Sequence, residues 1–253
     1  YVEPFRELLA GLAVDDPRLK IFDGHDRLFE FIGSMGVEDF SRFRFVVTPS
    51  LKLPLRDYAL WLSGAANAVF EKRVAEIMTL AVVGETVVKN IISNLPRFSR
   101  LLPARSLFST PNADIFCLAA SGPSLDRSID EIVRCRDRMR LIAVDSAVFP
   151  LLERGAVPDL GVCLDPRQDE VEHIETIPMD SRTKFPWVVA ASIHPEILRL
   201  LENCRTFVFT GDHPLEIWLT GRFGDPGTLR GGGSVILPAF DLACRMGATD
   251  IVL

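Results

Sequence analysis

The sequence predicts an α/β protein in which a Rossmann-like, mostly parallel sheet with helices on both faces follows a mainly helical N-terminal domain. Two observations carry this prediction. Up to about residue 105, apolar residues recur at intervals of three, four and seven, which is the period of a helix packed on one side. From Ile115 onward, short apolar runs alternate with amphipathic or capped segments, as in parallel strands joined by crossover helices. The predicted domains are residues 1–110 and 111–253.

The N-terminal region shows a nearly continuous helical pattern. Trp61, Phe70 and Met78 follow this spacing, and aromatic and methionine side chains at helical spacing are typical of core packing rather than of ligand contacts. Residues 45–47 form the strand predicted in this region. Residues 101–112 are rich in proline, serine and threonine and are predicted to be a linker, so the domain boundary is placed there.

The second region contains the predicted strands of the sheet, at residues 115–120, 141–144, 160–164, 187–191, 207–209 and 251–253. All but the last are followed by small or acidic polar residues, and the carboxyl edge of a parallel sheet is where open α/β folds bind ligands. Each residue taken alone could be a helix cap or a turn, but together they predict a binding site. They are Ser121 and Gly122, Asp145 and Ser146, Asp165 and Pro166, Ser192 and His194, and Thr210 with Asp212.

The segment after the first of these strands carries the most specific signal. Ser121, Gly122, Pro123 and Ser124 stand between an apolar strand and a helical stripe. Glycine allows close approach of a phosphate or ribose, and the free N–H groups at a helix start favour an anion. The alternative is an ordinary strand-to-helix turn with Ser124 or Asp126 as the N-cap. We expect a nucleotide-binding loop here.

A second glycine-rich segment precedes the last predicted helix. Gly231, Gly232 and Gly233 lead into Ser234, the expected N-cap, and Val235. Such a loop presents several free N–H groups and favours a phosphate or base site, although a flexible loop is the alternative. The segment lacks the lysine of a Walker A loop and the third glycine of GxGxxG, which argues against a nicotinamide or flavin cofactor.

Composition restricts the class of protein. The 253 residues are 48% hydrophobic, enough for a large core, and no apolar run reaches the ~20 residues of a membrane span. The net charge of −6, with the acidic excess in residues 111–253, argues against a nucleic-acid partner. The five cysteines are scattered, so we expect a reduced, cytoplasmic protein. They form no CxxC and the four histidines form no HExxH, so we expect no zinc site. The short apolar runs predict that the protein has no membrane partner.

Three separated motifs occur in the order found in one family. The motifs are ASGPSL at 120–125, AVDSAVFPLLERGAVPDLGVCLDP at 143–166 and GGGSVILPAFDLACRMGATDIVL at 231–253. With them the chain resembles the motility accessory factors, which are bacterial proteins associated with flagellin glycosylation. The same core resembles the archaeal 6-hydroxymethyl-dihydropterin diphosphokinases and, more distantly, the bacterial sialyltransferases that use CMP-sialic acid.

The resemblance implies roles for residues already singled out. Ser121, Gly122, Pro123 and Ser124 would hold the nucleotide phosphate or ribose, with Asp145 and Asp165 pointing into the same cleft. Gly232, Gly233, Ser234 and Val235 would match the sialyltransferase loop that contacts cytidine. The sialyltransferases have asparagine where this chain has Ser121 and Asp145, so the acidic groups favour a metal-bound nucleotide as an alternative. Family members continue beyond the strand that ends at Leu253, so we expect the domain to be truncated at its C-terminus.

The resemblance predicts a glycosyltransferase-like protein that moves a nonulosonic sugar from a CMP donor to serine or threonine of flagellin, without a tightly bound cofactor. One alternative is a diphosphokinase-like enzyme acting on a pterin with Mg-ATP, in which Asp145, Asp165 and Asp212 would reach the metal. Another is a non-catalytic module that binds flagellin. The sequence identifies no general base; His194 is the candidate, and it is equally a residue that starts a helix.

Overall fold

The computed structural model describes residues 24–35, 56–109, 115–211, 213–231 and 234–253. Its contacts divide the chain into two compact units, Tyr1–Val82 and Val83–Leu253. In the first unit, helix α1 (His25–Ser34) packs through Ile32 against Ala66 of the long helix α2 (Arg56–Phe98). Helix α2 continues into the second unit. None of the described helices is long and apolar enough to cross a membrane.

The second unit is built on a seven-stranded sheet in which every pair of neighbours is parallel. The order across the sheet is β1-β6-β5-β4-β3-β2-β7. The strands are β1 (Leu102–Pro103), β2 (Ile115–Ala119), β3 (Arg140–Val144), β4 (Leu160–Cys163), β5 (Trp187–Ala190), β6 (Thr206–Phe209) and β7 (Asp250–Val252).

Helices connect the strands, as parallel neighbours require. They are α3 (Pro123–Cys135), α4 (Asp145–Glu153), α5 (Val171–Glu175), α6 (Met179–Arg182), α7 (Pro195–Leu200), α8 (Pro214–Phe223) and α9 (Ile236–Arg245). Apolar side chains on one face of the sheet pack against α3, α4, α5 and α7, and those on the other face pack against α9. Burial on both faces explains why the central strands are apolar throughout rather than alternating.

The fold class predicted from the sequence is confirmed, and the strands from β2 to β7 lie within one residue of their predicted positions. The segment predicted as a linker differs. Leu102 and Pro103 pair with β6 as an edge strand, followed by a 3₁₀ turn at Ala104–Leu107. The division between the two compact units falls after Val82, within the residues of α2. The domain boundary near residue 110 stays a prediction. The strand predicted at residues 45–47 lies outside the described residues.

Candidate functional site

The loop after β2 stands where the strand order of the sheet reverses. Strand β3 follows β2 on one side, whereas β7 lies on the other, and open α/β sheets bind ligands at such a reversal. Helix α3 begins here with Gly122 at the N-cap and Pro123 at the first helical position, and no side chain caps it. The alternative caps, Ser124 and Asp126, are not used. Pro123 has no N–H and the Leu125 N–H donates to the Gly122 carbonyl at 2.9 Å, so the Ser124 N–H is the donor of this first turn that is available to an anion.

The loops after β2 and β3 meet through their serines. The hydroxyls of Ser121 and Ser146 lie 2.8 Å apart in a hydrogen bond. Ser146 belongs to the first turn of α4, which also lacks a cap from a flanking residue. Ser121 and Ser124 are exposed, so both hydroxyls are accessible to a ligand. Two helix starts and these hydroxyls therefore converge at one point of the sheet edge.

Gly122 has no steric reason to be glycine in the folded protein. Its φ of −74° is normal for any residue, and a Cβ added to it would meet only the Ser124 hydroxyl, at 3.7 Å. Gly161 in β4 is the opposite case, because a Cβ there would come within 2.5 Å of the Trp187 ring. Gly161 is required for packing. Open space beside Gly122 is what close approach of a ligand to the backbone requires.

Asp145 lies beneath this loop pair. Its side chain is 3% exposed, and its Oδ1 accepts a hydrogen bond from the Ser146 N–H at 2.8 Å. Its Oδ2 is buried and has no hydrogen-bond partner among the described residues. The pKa of Asp145 is raised to about 6, chiefly by burial; the charges of Glu170 and Asp165 also raise it, whereas the Ser146 N–H and His173 lower it. Asp145 is therefore protonated in part near neutral pH.

Asp165 is held by an arginine two residues along the chain. Its Oδ1 accepts hydrogen bonds from the backbone N–H and the Nε of Arg167, and its Oδ2 accepts one from Nη2 at 2.9 Å. The same Nη2 donates to Glu170, whose other carboxylate oxygen lies 3.2 Å from Nε2 of His173. These hydrogen bonds raise the pKa of Arg167. Both oxygens of the Asp165 carboxylate are thus already engaged.

The predicted metal site at Asp145 and Asp165 does not match this arrangement. Within the part of the chain that the structure describes, no group of three or more acidic, histidine or cysteine side chains is placed to hold a metal ion. Mg²⁺ prefers carboxylate oxygens that it can take directly or through water. Here the oxygens of Asp165 and Glu170 are occupied by Arg167 and His173. The third predicted acid, Asp212, lies outside the described residues.

Two predicted site residues lie elsewhere along the edge. Ser192 and Thr210 follow β5 and β6 and are both buried. The Thr210 hydroxyl is 3.2 Å from that of Thr228, and the residue lines an apolar cavity of about 630 Å³ near Leu219. Strands β2 and β6 are four positions apart, about 19 Å at the usual strand spacing. Thr210 therefore belongs to a different part of the edge from Ser121.

Two buried asparagines of α2, which the sequence analysis missed, fix the loops after β4 and β5. The side-chain NH₂ groups of Asn90 and Asn94 each donate to two backbone carbonyls, at 2.8–3.2 Å. The acceptors are the carbonyls of Pro166, Ala191, Ser192 and Ile193. Two asparagines four residues apart in an apolar helical pattern were the signal available in the sequence. Arg167, Glu170 and His173 were missed because nothing local distinguishes them from a solvated charged run.

The remaining predicted residues have structural roles where the structure describes them. His194 is the N-cap of α7, and its Nδ1 accepts a hydrogen bond from the backbone N–H of Glu196 at 3.3 Å. Ser234 was expected to cap α9, but the N-cap is Val235, without a side-chain cap. Val235 packs against the cores on both faces, which places the start of α9 at the sheet edge. Gly232 and Gly233 lie outside the described residues.

Comparison with known proteins identifies the family. Residues 89–253 match the family described as 6-hydroxymethylpterin diphosphokinase MptE-like. The chain belongs to the MptE-like family. This membership confirms the resemblance carried by the three sequence motifs. Comparison with curated proteins gives no match.

A solved structure shares the fold of this MptE-like chain. It is the MAf glycosyltransferase from Magnetospirillum magneticum AMB-1, with 15% sequence identity and a TM-score of 0.51. The alignment covers 72% of this chain and 30% of that protein, so the chain spans less than a third of its length. At this identity the similarity shows a shared fold.

Proposed function

We propose that this MptE-like chain is the nucleotide-binding part of a glycosyltransferase that moves a nonulosonic sugar from a CMP donor to hydroxyls of flagellin. The observation that carries the proposal is the 2.8 Å contact between the hydroxyls of Ser121 and Ser146, which joins two helix starts beside the open backbone of Gly122. This arrangement suits one phosphate, as CMP carries. The fold shared with a glycosyltransferase supports the class of reaction.

The chemistry of such a transfer makes clear demands. The bond between the sugar carbon and the phosphate oxygen breaks, CMP leaves with the electron pair, and the acceptor hydroxyl forms the new bond and loses its proton. The developing negative charge lies on the departing phosphate. Hydrogen-bond donors fixed before the reaction stabilise that charge most effectively. The Ser124 N–H at the start of α3 and the hydroxyls of Ser121 and Ser124 are donors of this kind.

A second candidate function is transfer of diphosphate from a nucleoside triphosphate to a pterin. The match of residues 89–253 to the diphosphokinase-like family favours it. Phosphoryl transfer commonly depends on Mg²⁺, and the pairing of Asp165 and Glu170 with Arg167 and His173 counts against a metal held by these carboxylates. A non-catalytic flagellin-binding module is the third possibility, and it would need no nucleotide.

Isothermal titration with CMP, a CMP-nonulosonate and Mg-ATP separates these functions. We expect CMP and its sugar conjugate to bind in EDTA, with Mg-ATP weaker. Ser121→Ala should lose about tenfold or more in CMP affinity, because it removes a hydrogen bond to a charged group. Ser128→Ala is the matched control, since that hydroxyl bonds back to the Ser124 carbonyl inside α3. Preference for Mg-ATP would support the diphosphokinase, and no binding of any nucleotide would support the third possibility.

A further inference from the structure

Arg167 is the cation at the centre of a group of acidic side chains. It follows β4 at the carboxyl edge, and its guanidinium contacts three acidic side chains. Two of these are hydrogen-bonded, at 2.9–3.0 Å, and the third, Asp169, forms an ion pair at 3.7 Å. The charges of Asp165 and Glu170 also act on the buried Asp145 and raise its pKa. The cation that balances this acidic group is therefore part of the chain.

The guanidinium keeps donors for a ligand. Arginine has five N–H donors, and in Arg167 the one on Nε and the two on Nη2 are used by Asp165 and Glu170. Nη1 makes only the 3.7 Å ion pair with Asp169 and no hydrogen bond to any described residue. The side chain is 52% exposed. The two N–H groups of Nη1 thus belong to a half-exposed guanidinium whose plane is fixed by its other hydrogen bonds, and a planar guanidinium with free N–H groups suits phosphate.

A second observation points to a ligand at the same place. The Oδ2 of Asp145 is buried without a partner among the described residues, and the charges of Asp165 and Glu170 act on it. Ser146, the neighbour of Asp145, contacts Ser121 of the phosphate loop. Strand β4, which precedes Arg167, lies two positions from β2, about 10 Å away, a span that a nucleotide covers. Arg167 and the loop at 121–124 thus follow strands two positions apart at the same carboxyl edge of the sheet.

We propose that Arg167 is the resident cation of the phosphate site, clamped by Asp165 and Glu170 so that its Nη1 binds the nucleotide phosphate in place of Mg²⁺. This inference rests on the proposed nucleotide-binding function. It identifies a binding residue in the loop after β4 and makes nucleotide binding independent of metal. The acidic neighbours orient the guanidinium rather than ligate an ion.

Metal binding to the free protein tests the first half of the proposal without a nucleotide. Mn²⁺ is titrated into the full chain and followed by electron paramagnetic resonance, for the wild type, Arg167→Gln and Arg199→Gln. Arg199 is the matched control, because it forms a similar exposed ion pair with Glu196 on α7. We expect no Mn²⁺ site in the wild type or the control, and a new site in Arg167→Gln that Asp165→Asn removes. A wild-type Mn²⁺ site that Asp165→Asn abolishes would overturn the inference.

Phosphate binding tests the second half. Calorimetry with CMP and with inorganic pyrophosphate is run in EDTA and in millimolar MgCl₂, with thermal melting to check folding. We expect Arg167→Gln to lose about tenfold or more in EDTA and to regain part of the loss in MgCl₂, while Mg²⁺ leaves the wild type unchanged. Unchanged affinity of Arg167→Gln in EDTA, or no binding of either probe to the wild type, would overturn this half. Absence of CMP binding to the wild type would also contradict the proposed function. Unchanged affinity of Arg167→Gln would contradict only the role of Arg167.

Discussion

At the scale of single residues, Gly122 is a position where a side chain should block ligand binding without disturbing the fold. Its backbone angles and its surroundings accept a larger side chain, whereas those of Gly161 do not. We predict that Gly122→Val abolishes CMP binding and changes the free energy of unfolding by less than about 1 kcal/mol. Gly161→Ala, where a Cβ meets the Trp187 ring at 2.5 Å, should destabilise the protein instead. Calorimetry and urea unfolding measure the two effects. Loss of stability in Gly122→Val, with unchanged affinity of the folded fraction, would make Gly122 structural.

The buried carboxyl of Asp145 gives stability a pH dependence. Its pKa is raised from 3.8 to about 6, so the folded state binds this proton more tightly than the unfolded state does. The stabilisation is therefore complete below about pH 4 and is lost as the pH rises through about 6. Asp145→Asn keeps an acceptor for the Ser146 N–H and does not titrate. We predict that wild type loses up to about 3 kcal/mol relative to this variant between pH 4 and pH 8, measured by urea unfolding. A constant difference across this range would show that Asp145 has an ordinary pKa in the folded protein.

The effect of Mg²⁺ on CMP binding distinguishes two roles for Asp165, that of orienting Arg167 and that of a metal ligand. Because Arg167 takes both of its carboxylate oxygens, we expect Asp165→Asn to weaken CMP binding several-fold through the orientation of the guanidinium. The loss should be the same in EDTA and in MgCl₂. Calorimetry of this variant in the two buffers provides the measurement. A loss confined to MgCl₂ would make Asp165 a metal ligand, as the sequence analysis had proposed.

At the scale of elements, helix α2 is tied to the sheet by its two buried asparagines. Each side chain satisfies two backbone carbonyls of the loops after β4 and β5. Replacement by alanine leaves these carbonyls unpaired, so we predict that Asn90→Ala and Asn94→Ala each cost about 2–4 kcal/mol in urea unfolding. Asn67→Ala, at an exposed position of the same helix, should cost little. Equal effects at Asn67 and Asn94 would mean that helix propensity, and not these hydrogen bonds, determines the cost.

The strands, and the polar residues that follow them, could be predicted because strands buried on both faces are continuous apolar runs in the sequence. The two-residue strand β1 could not, since Leu102 and Pro103 carry no period and pair with β6 only through the tertiary fold. The binding loop at 121–124 was predicted from its glycine and serines and stays a prediction. The contacts of Arg167 could not be predicted, because they depend on which carboxylates the fold brings to it. For His194, the helix-start alternative that the sequence offered matches its position as the N-cap of α7.

At the scale of the whole molecule, the position of the domain boundary has a direct test. The structure groups residues 83–109 with the sheet, through Asn90, Asn94 and β1. We predict that a fragment of residues 83–253 unfolds cooperatively in urea, followed by circular dichroism. A fragment of residues 111–253 should not, because it lacks these hydrogen bonds and the edge strand. Cooperative unfolding of the shorter fragment with equal stability would place the boundary near residue 110.

The central claim is that the loops after β2 and β3 form one nucleotide phosphate site at the reversal of the strand order. The most direct measurement is a crystal structure of the full chain with CMP. We predict the phosphate within hydrogen-bonding distance of the Ser121 and Ser124 hydroxyls, with the Nη1 of Arg167 on the same phosphate or its neighbouring ribose. CMP bound elsewhere, such as in the apolar cavity beside Thr210 and Leu219, with the loop at 121–124 empty, would contradict the account.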